Sequence, residues 1–400
     1  MAALLNCLYK HGLSEDYLAS HLLGVATAGA SVMLGCKTGV VTQLKRKFSN
    51  VISWHCLNHR LELGVHDAVK ACTEINHFKL FMDKLCSLYS MSPKSQRALE
   101  SCAATLGLQL NRIGRVLDVR WVASSFRAVS AVWKCYAALH QHFKESAVDR
   151  SLDSKERATF SGLLGKLESG SFLLNLALMH DALEELAELS ESLQADSMTL
   201  PRANRLICRQ IEIFRARKMT PGDCEKTKIA TDAVKIGKFE TVTLKPISPR
   251  DAVVNRQQFY QALCDSLAAR MLPDSDSQLM RDVEILLPSS WPDSTAMPPE
   301  YGESELRRLC SRLLVPYTVS VKNAYRDFKE SGGSRVAHAF KQVQCSLACL
   351  PVSTAVCERG FSRMNIVCTP TRSTLTMEHL SSLLLISIVG APHRKWQPMP

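Results

Sequence analysis

The sequence predicts an α/β fold, and three observations carry this prediction. Two short apolar runs, LLGVAT at 22–27 and VISWHC at 51–56, have the length and composition of buried strands. The second run is followed at 57–74 by a segment whose apolar residues recur at helical spacing. Beyond about residue 75 the strand signal fades and helical periodicity dominates. Short apolar strands that alternate with helices are typical of a layered α/β domain.

The composition is that of a folded, basic protein. The chain has 400 residues, of which 46% are hydrophobic and 22% charged, enough to bury a large core. Its net charge of +11 suits a polyanionic partner. The longest strongly apolar run, at 383–392, is too short to span a bilayer, and the first residues lack a secretory signal. We therefore expect a soluble intracellular protein with no membrane partner. In such a compartment the cysteines, which include no CxxC pair, are expected to be reduced thiols.

Helical patterns organise the rest of the chain. Residues 120–144 are predicted to form one amphipathic helix, and residues 172–194 another. Residues 201–250, called the basic segment below, hold twelve bases and five acids, for a net charge of +7. The second half of the basic segment lacks helical periodicity and is predicted to be a long loop or a β-excursion. A proline-rich linker at 286–303 separates it from the helix-rich region 334–388.

Three clusters of residues stand out as possible sites, and each also has a purely structural explanation. Small residues mark a strand-to-helix turn within 24–40, which is a common packing device. Cys56 and His59 fall at i and i+3 on one helix face, which is half of a zinc site. Segment 353–375 places a Glu–Arg pair on a predicted helix, where such pairs usually lie at the surface.

Together and in this order, the clusters resemble the hAT superfamily of transposases and the host proteins derived from it. The CxxHRLxL motif of the family is present as Cys56, His59, Arg60, Leu61 and Leu63, and its Arg-Trp motif as Arg120 and Trp121. The family's C-terminal dimerisation region is matched by Ser353, Ala355, Glu358, Arg359, Phe361, Ser362, Met364, Asn365, Ile366, Thr369, Arg372 and Leu375.

The resemblance implies a ribonuclease-H-like α/β core, without its first strands, interrupted by a large all-helical insertion. Residues 1–135 would form the N-terminal part of this core. Residues 136–333 would form the insertion, with the basic segment 201–250 and the linker 286–303. Residues 334–396 would complete the core and carry the dimerisation region.

The resemblance also implies a catalytic site, from which this sequence departs. In the family two Asp and one Glu hold the divalent ions that cut DNA. Glu358 matches the Glu, but the turn that would carry the second Asp has Ala28 in that place, and the first Asp is expected upstream of Met1. A methyl group cannot ligate Mg²⁺. We therefore expect Glu358 to be the remnant of an inactive triad with no metal and no cofactor; an active DDE transposase or DNA nuclease is the enzymatic alternative.

The family's His and Trp help to handle a flipped base at the DNA end. The resemblance assigns His59, Arg120 and Trp121 to a remnant of this nucleic-acid-binding surface, and core packing is the alternative role. The Cys/His spacing of the N-terminal zinc finger that many members carry is not present in this sequence.

The resemblance therefore predicts a catalytically inactive protein that forms homodimers. We assign the dimerisation surface to Phe361, Leu380, Leu384 and Ile388, because segment 353–388 has more apolar residues than one helical stripe needs. Burial within the same chain is the other explanation. Binding of protein or of nucleic acid through the basic segment is expected, in the nucleus or otherwise in the cytoplasm. A SUMO-ligase-type activity, as in some hAT-derived vertebrate proteins, is a further alternative without a RING-type Cys/His array to support it.

Overall fold

The protein is mainly helical. The computed structural model describes residues 1–110, 113, 122–220, 224–272, 277–292, 297–372 and 374–390. Helices account for 70% of the described residues and strands for 4%, in two very small sheets. The predicted α/β class with a ribonuclease-H-like core is therefore wrong. The two apolar runs do form strands, but each strand is four residues long and pairs only with the other among the described residues.

Helices and strands are numbered here in chain order. The strands are β1 (Gly24–Thr27), β2 (Ile52–His55), β3 (Lys238–Phe239) and β4 (Val242–Thr243). The helices are α1 (Ala2–Lys10), α2 (Glu15–His21), α3 (Ser31–Leu34), α4 (Val40–Lys47), α5 (Leu57–Lys70), α6 (Glu74–Met91), α7 (Pro93–Thr105), α8 (Val122–Lys134), α9 (Tyr136–Val148), α10 (Ser154–Leu167), α11 (Gly170–Leu193), α12 (Leu200–Met219), α13 (Glu225–Ile236), α14 (Arg256–Met271), α15 (Ser277–Glu284), α16 (Glu303–Arg312), α17 (Val319–Glu330), α18 (His338–Ala348), α19 (Ala355–Val367) and α20 (Met377–Val389).

The chain divides into two compact units. Unit 1 comprises Met1–Asn58, Gln194–Leu200 and Ile285–Pro400, and unit 2 comprises His59–Leu193 and Pro201–Glu284. None of the described helices combines the length and the hydropathy that a membrane span requires.

The strand pair of unit 1 forms as the apolar runs predict. Strand β1 pairs with β2 in parallel, from Gly24 opposite Ile52 to Thr27 opposite His55. Beside it, buried side chains of α1, α2 and α4 pack with two residues of the connection to β2; this cluster consists of Leu5, Leu18, Leu44, Phe48 and Val51. The 350–351 segment approaches β1 so closely that a β-carbon at Gly24 would lie 2.9 Å from the Leu350 side chain.

Unit 2 is built around α11, which was predicted at 172–194. Its apolar residues are buried, as the stripe at three- and four-residue spacing indicates. The predicted single helix at 120–144 is wrong, because the chain forms α8 and α9 with a break at Cys135. Helix α8 packs on α11, whereas α9 packs on α7 and α10. Both helices bury apolar side chains, so the hydrophobic pattern runs through the break and does not reveal it.

The second half of the basic segment is not a long loop. It contains α13, followed by the two-residue antiparallel strands β3 and β4. A residue distant in sequence supports the start of α13: the Asp181 carboxylate accepts hydrogen bonds from the Thr227 N–H at 2.8 Å and the Thr227 hydroxyl at 2.6 Å. This long-range cap stabilises a helix whose own sequence is weakly periodic.

Candidate functional site

The carboxyl ends of β1 and β2 lie side by side in unit 1. The Cys56 N–H donates to the Thr27 carbonyl at 2.9 Å, which extends the parallel ladder one residue beyond β2. Cys56 is fully buried. Ligand sites in parallel sheets form beyond the carboxyl ends of the strands. This edge is therefore the first place to expect a site.

The segment that leads into α19 joins the same edge through two hydrogen bonds. The Leu57 N–H donates to the Val352 carbonyl at 3.2 Å, and the Thr354 N–H donates to Cys56 Sγ at 3.2 Å. The Thr354 hydroxyl donates to Glu358 Oε1 at 3.0 Å. Cys56 Sγ and a Glu358 carboxylate oxygen lie within 4.8 Å of each other. The structure thus brings Glu358 to the carboxyl ends of two strands that precede it by about 300 residues.

The turn after β1 faces His55 at the end of β2. Gly29 has a φ of +83°, and a β-carbon at this position would lie 2.2 Å from His55 Nε2. Only glycine fits this combination of backbone conformation and close approach. The neighbouring Ala28 offers a methyl group where the hAT resemblance would place a carboxylate. With Glu358 as its one carboxylate, the predicted triad cannot hold two metal ions.

A small apolar cavity lies beside the strand pair. Its volume is about 10 Å³, and it is lined by Ile52, Trp54, Leu200, Leu350, Pro351 and Val352. A volume of this size holds about one water molecule. The cavity is therefore a packing defect of the core and not a cofactor site.

Two of the predicted nucleic-acid-binding residues cannot be placed. Arg120 and Trp121 lie outside the described residues. His59 lies on the first turn of α5, one helical turn after the buried Cys56.

The predicted dimerisation residues lie on a pair of packed helices, α19 and α20, called the C-terminal hairpin below. A β-carbon at Gly360 of α19 would lie 3.9 Å from the Ile388 side chain of α20. Leu380 and Leu384 are half-buried and lie one turn apart on α20, whereas Phe361 of α19 is 61% exposed. Leu380 and Leu384 therefore belong to the partly covered part of the hairpin, and Phe361 belongs to its open surface.

The open surface of the C-terminal hairpin is strongly apolar. No residue of α20 is buried, although most of its side chains are apolar. Its large exposed apolar residues, together with those of α19, are Val356, Phe361, Ile366, Met377, Leu383, Leu385, Ile386, Ile388 and Val389. Of these nine residues, Phe361 and Ile388 are in the set assigned to the dimerisation surface from the sequence. The sequence of α20 is apolar on every side of the helix. Such a helix is expected to be covered by another part of the chain or by a partner.

An ion pair that the sequence did not indicate links α19 to a segment distant in sequence. The Arg359 guanidinium pairs with Asp196 and approaches the Gln194 carbonyl at 3.5 Å. These partners precede Arg359 by more than 160 residues, and all three lie in unit 1. The two residues of the Glu–Arg dipeptide therefore make different contacts. Glu358 faces the strand edge, and Arg359 pairs with Asp196.

Much of the charge of the basic segment is paired within the protein. Five of its bases form ion pairs: Arg215 with Glu212, Arg217 with Glu185, Lys226 with Glu225, Lys235 with Asp232, and Lys245 with Glu168. Arg202, Arg205 and Arg209 are exposed on the first half of α12 at three- and four-residue spacing. Because all three side chains are exposed, this half of α12 is accessible to an anion.

Comparison with models of protein families gives no match to this chain. The roles of residues at the strand edge and in the C-terminal hairpin therefore rest on geometry and on the motifs themselves.

Proposed function

We propose that this chain is a catalytically inactive, hAT-transposase-like protein that acts by self-association through the C-terminal hairpin. The observation that carries the proposal is the open apolar surface of α19 and α20, with nine large apolar side chains exposed. Contiguous apolar surface on this scale marks an interaction site. The motif resemblance supports the proposal, whereas the α/β fold first expected for the chain plays no part in it.

A second copy of the chain is the partner that this surface suits. Beyond Glu378 and His379, α20 carries no charged side chain up to its end at Val389. From Leu380 to Val389, the α20 part of the surface therefore offers no charge to a partner and matches a surface as apolar as itself. Two copies related by a twofold axis present identical patches to each other, which is the commonest way for proteins to self-associate.

The lack of catalysis follows from the strand edge. Glu358 is in place beside Cys56, but Ala28 cannot supply the second carboxylate. A two-metal mechanism needs several carboxylates to offset the repulsion between the ions. The proposal therefore assigns the Glu358 region to folding, where it ties α19 to the strand pair.

Light scattering of the full chain at tens of micromolar tests self-association. We expect a dimer or a larger species, and we expect the double variant Phe361→Asp, Leu385→Asp to be monomeric, because burying an unpaired carboxylate costs several kcal/mol. The matched control is Ser362→Asp, Ser382→Asp, which adds the same charge to exposed polar positions of the same helices. Circular dichroism verifies that all variants are folded. A monomeric unmodified chain, or equal effects of the two double variants, contradicts the proposal.

Nucleic-acid binding through α12 is a second candidate function. Arg202, Arg205 and Arg209 are exposed on the N-terminal half of this helix, whose positive dipole end adds to their attraction for phosphate. A dimer would double the number of such arginines on one assembly. A nuclear location is consistent with this candidate.

A further inference from the structure

A group of metal-ligand side chains lies within unit 2, on α11. His180, Asp181 and Glu184 place one ring nitrogen and two carboxylate oxygens within 4.8 Å of one another. His180 and Glu184 are four residues apart, so their side chains share one face of the helix. The distance from His180 Nδ1 to Glu184 Oε2 is 3.9 Å.

The histidine has an unused ring nitrogen. His180 is only 4% exposed, yet its Nδ1 has no hydrogen-bond partner among the residues that the structure describes. Buried polar atoms without a partner are uncommon and need an explanation. The other nitrogen, Nε2, lies 3.1 Å from the Ser130 hydroxyl. With its proton on Nε2 and donated to Ser130, the imidazole carries a free lone pair on Nδ1, beside Glu184.

The surroundings of His180 hold the ring in this position. Phe126 contacts it edge-on at a ring-centre distance of 5.2 Å, and Trp133 lies at 6.2 Å. A ring packed between aromatic side chains and hydrogen-bonded through its second nitrogen is the arrangement seen around metal-bound histidines.

The aspartate is fixed as well, with one oxygen available. Asp181 Oδ2 accepts from the N–H and the hydroxyl of Thr227, whereas Oδ1 accepts, among the described residues, from the Lys226 N–H at 3.3 Å. A carboxylate oxygen has two lone pairs, so Oδ1 retains one for a further partner. Glu184 has a half-exposed side chain that is free to adjust.

The electrostatics of the group favour a bound cation. Asp181 and Glu184 bring two carboxylates close to the buried His180 imidazole. The nearby Lys226 already pairs with Glu225 at 3.1 Å. A divalent ion would offset the charges of both carboxylates.

We propose that His180, Asp181 and Glu184 form a site for a divalent transition-metal ion of the zinc class, bound through Nδ1 and two carboxylate oxygens, with water as the fourth ligand. An imidazole beside carboxylates favours Zn²⁺ over Mg²⁺ or Ca²⁺, which prefer oxygen ligands alone. Tetrahedral ligands at about 2.1 Å from the metal lie roughly 3.4 Å apart. The observed 3.9 Å between two of the donors closes to that value with a small rotation of Glu184.

The test is a titration of the full chain with Zn²⁺ in competition with a chromophoric chelator, after exposed thiols are blocked with iodoacetamide. We expect one competing site, and we expect Glu184→Ala to weaken it by more than about ten-fold. The matched control is Glu191→Ala, an exposed position two turns further along α11, which should leave the affinity unchanged.

Ser130→Ala separates a ligand role of His180 from a purely structural one. This variant leaves all three ligands in place and removes the hydrogen-bond partner of His180 Nε2. We expect its zinc affinity to fall less than that of Glu184→Ala. Circular dichroism should show that the fold is intact. A chain that does not compete for Zn²⁺ overturns the proposal. Equal affinity of Glu184→Ala and Glu191→Ala overturns it as well.

Discussion

At the scale of single residues, the turn after β1 shows how a glycine is required for two separate reasons. Gly29 combines a φ of +83° with a close approach to His55. Gly12, in the same unit, has a φ of +86° but no neighbour within 4 Å of its β-carbon position. The two glycines therefore separate the cost of the backbone conformation from the cost of the contact.

We predict that Gly29→Ala lowers the free energy of unfolding by about 1–3 kcal/mol more than Gly12→Ala. Both variants lose about 1 kcal/mol because alanine disfavours the left-handed region. Only Gly29→Ala also forces a methyl group into the His55 ring, and overpacking of this kind costs typically 1–3 kcal/mol. Urea denaturation of the two variants and the unmodified chain measures the difference. Equal destabilisation would show that the turn does not pack on His55.

At the scale of elements, β1, β2 and α19 meet at one edge although they are far apart in sequence. The contacts that join them run from Thr27 to Cys56, from Cys56 to Thr354, and from Thr354 to Glu358. Backbone groups and a buried thiol make most of these contacts. Hydrogen bonds thus connect the ends of both strands to the start of α19.

We predict that the chain shows no metal-dependent cleavage of DNA, because Ala28 removes the second carboxylate of the catalytic triad that the hAT motifs imply. Nicking of a supercoiled plasmid in Mg²⁺ or Mn²⁺, with EDTA as the control, measures this. Glu358→Gln should give the same background as the unmodified chain. Nicking that Glu358→Gln abolishes would mean that the edge is an active site with ligands other than those assigned here.

At the scale of the whole molecule, the twelve bases of the basic segment overstate the positive charge that is available to a partner. Five bases of the basic segment are paired with acids of the same chain. The exposed arginines of α12 form a smaller surface, and the strength of its binding to nucleic acid depends on how many phosphates it contacts.

We predict salt-sensitive binding of duplex DNA that depends on Arg202, Arg205 and Arg209. Three phosphate contacts correspond to a loss of about 40-fold in affinity between 50 and 200 mM salt, and replacing all three arginines with alanine should remove most of this dependence. Fluorescence anisotropy at several salt concentrations gives the slope. Arg215→Ala is the control, because this arginine lies on the same helix and is paired with Glu212. Unchanged slopes in the triple variant would exclude α12 as the binding surface.

The sequence by itself determined the local elements whose pattern is strong. The apolar runs at 22–27 and 51–56 are strands, and the stripe from Leu176 to Leu193 lies on one buried helix. In these segments the spacing of apolar residues alone specifies which side must leave water. Composition also determined the excess of positive charge.

Only the tertiary structure decided how many strands each sheet has, where helices break and which apolar surfaces are covered. The β1–β2 pair gains no further strand among the described residues, so the α/β class does not follow from it. The break at Cys135 and the cap that Asp181 provides for α13 depend on neighbours distant in sequence. Both α11 and α20 are rich in apolar residues, yet α11 is buried and α20 is exposed. Periodicity records which side of a helix avoids water, whereas the partner that covers this side is set by contacts between distant parts of the chain.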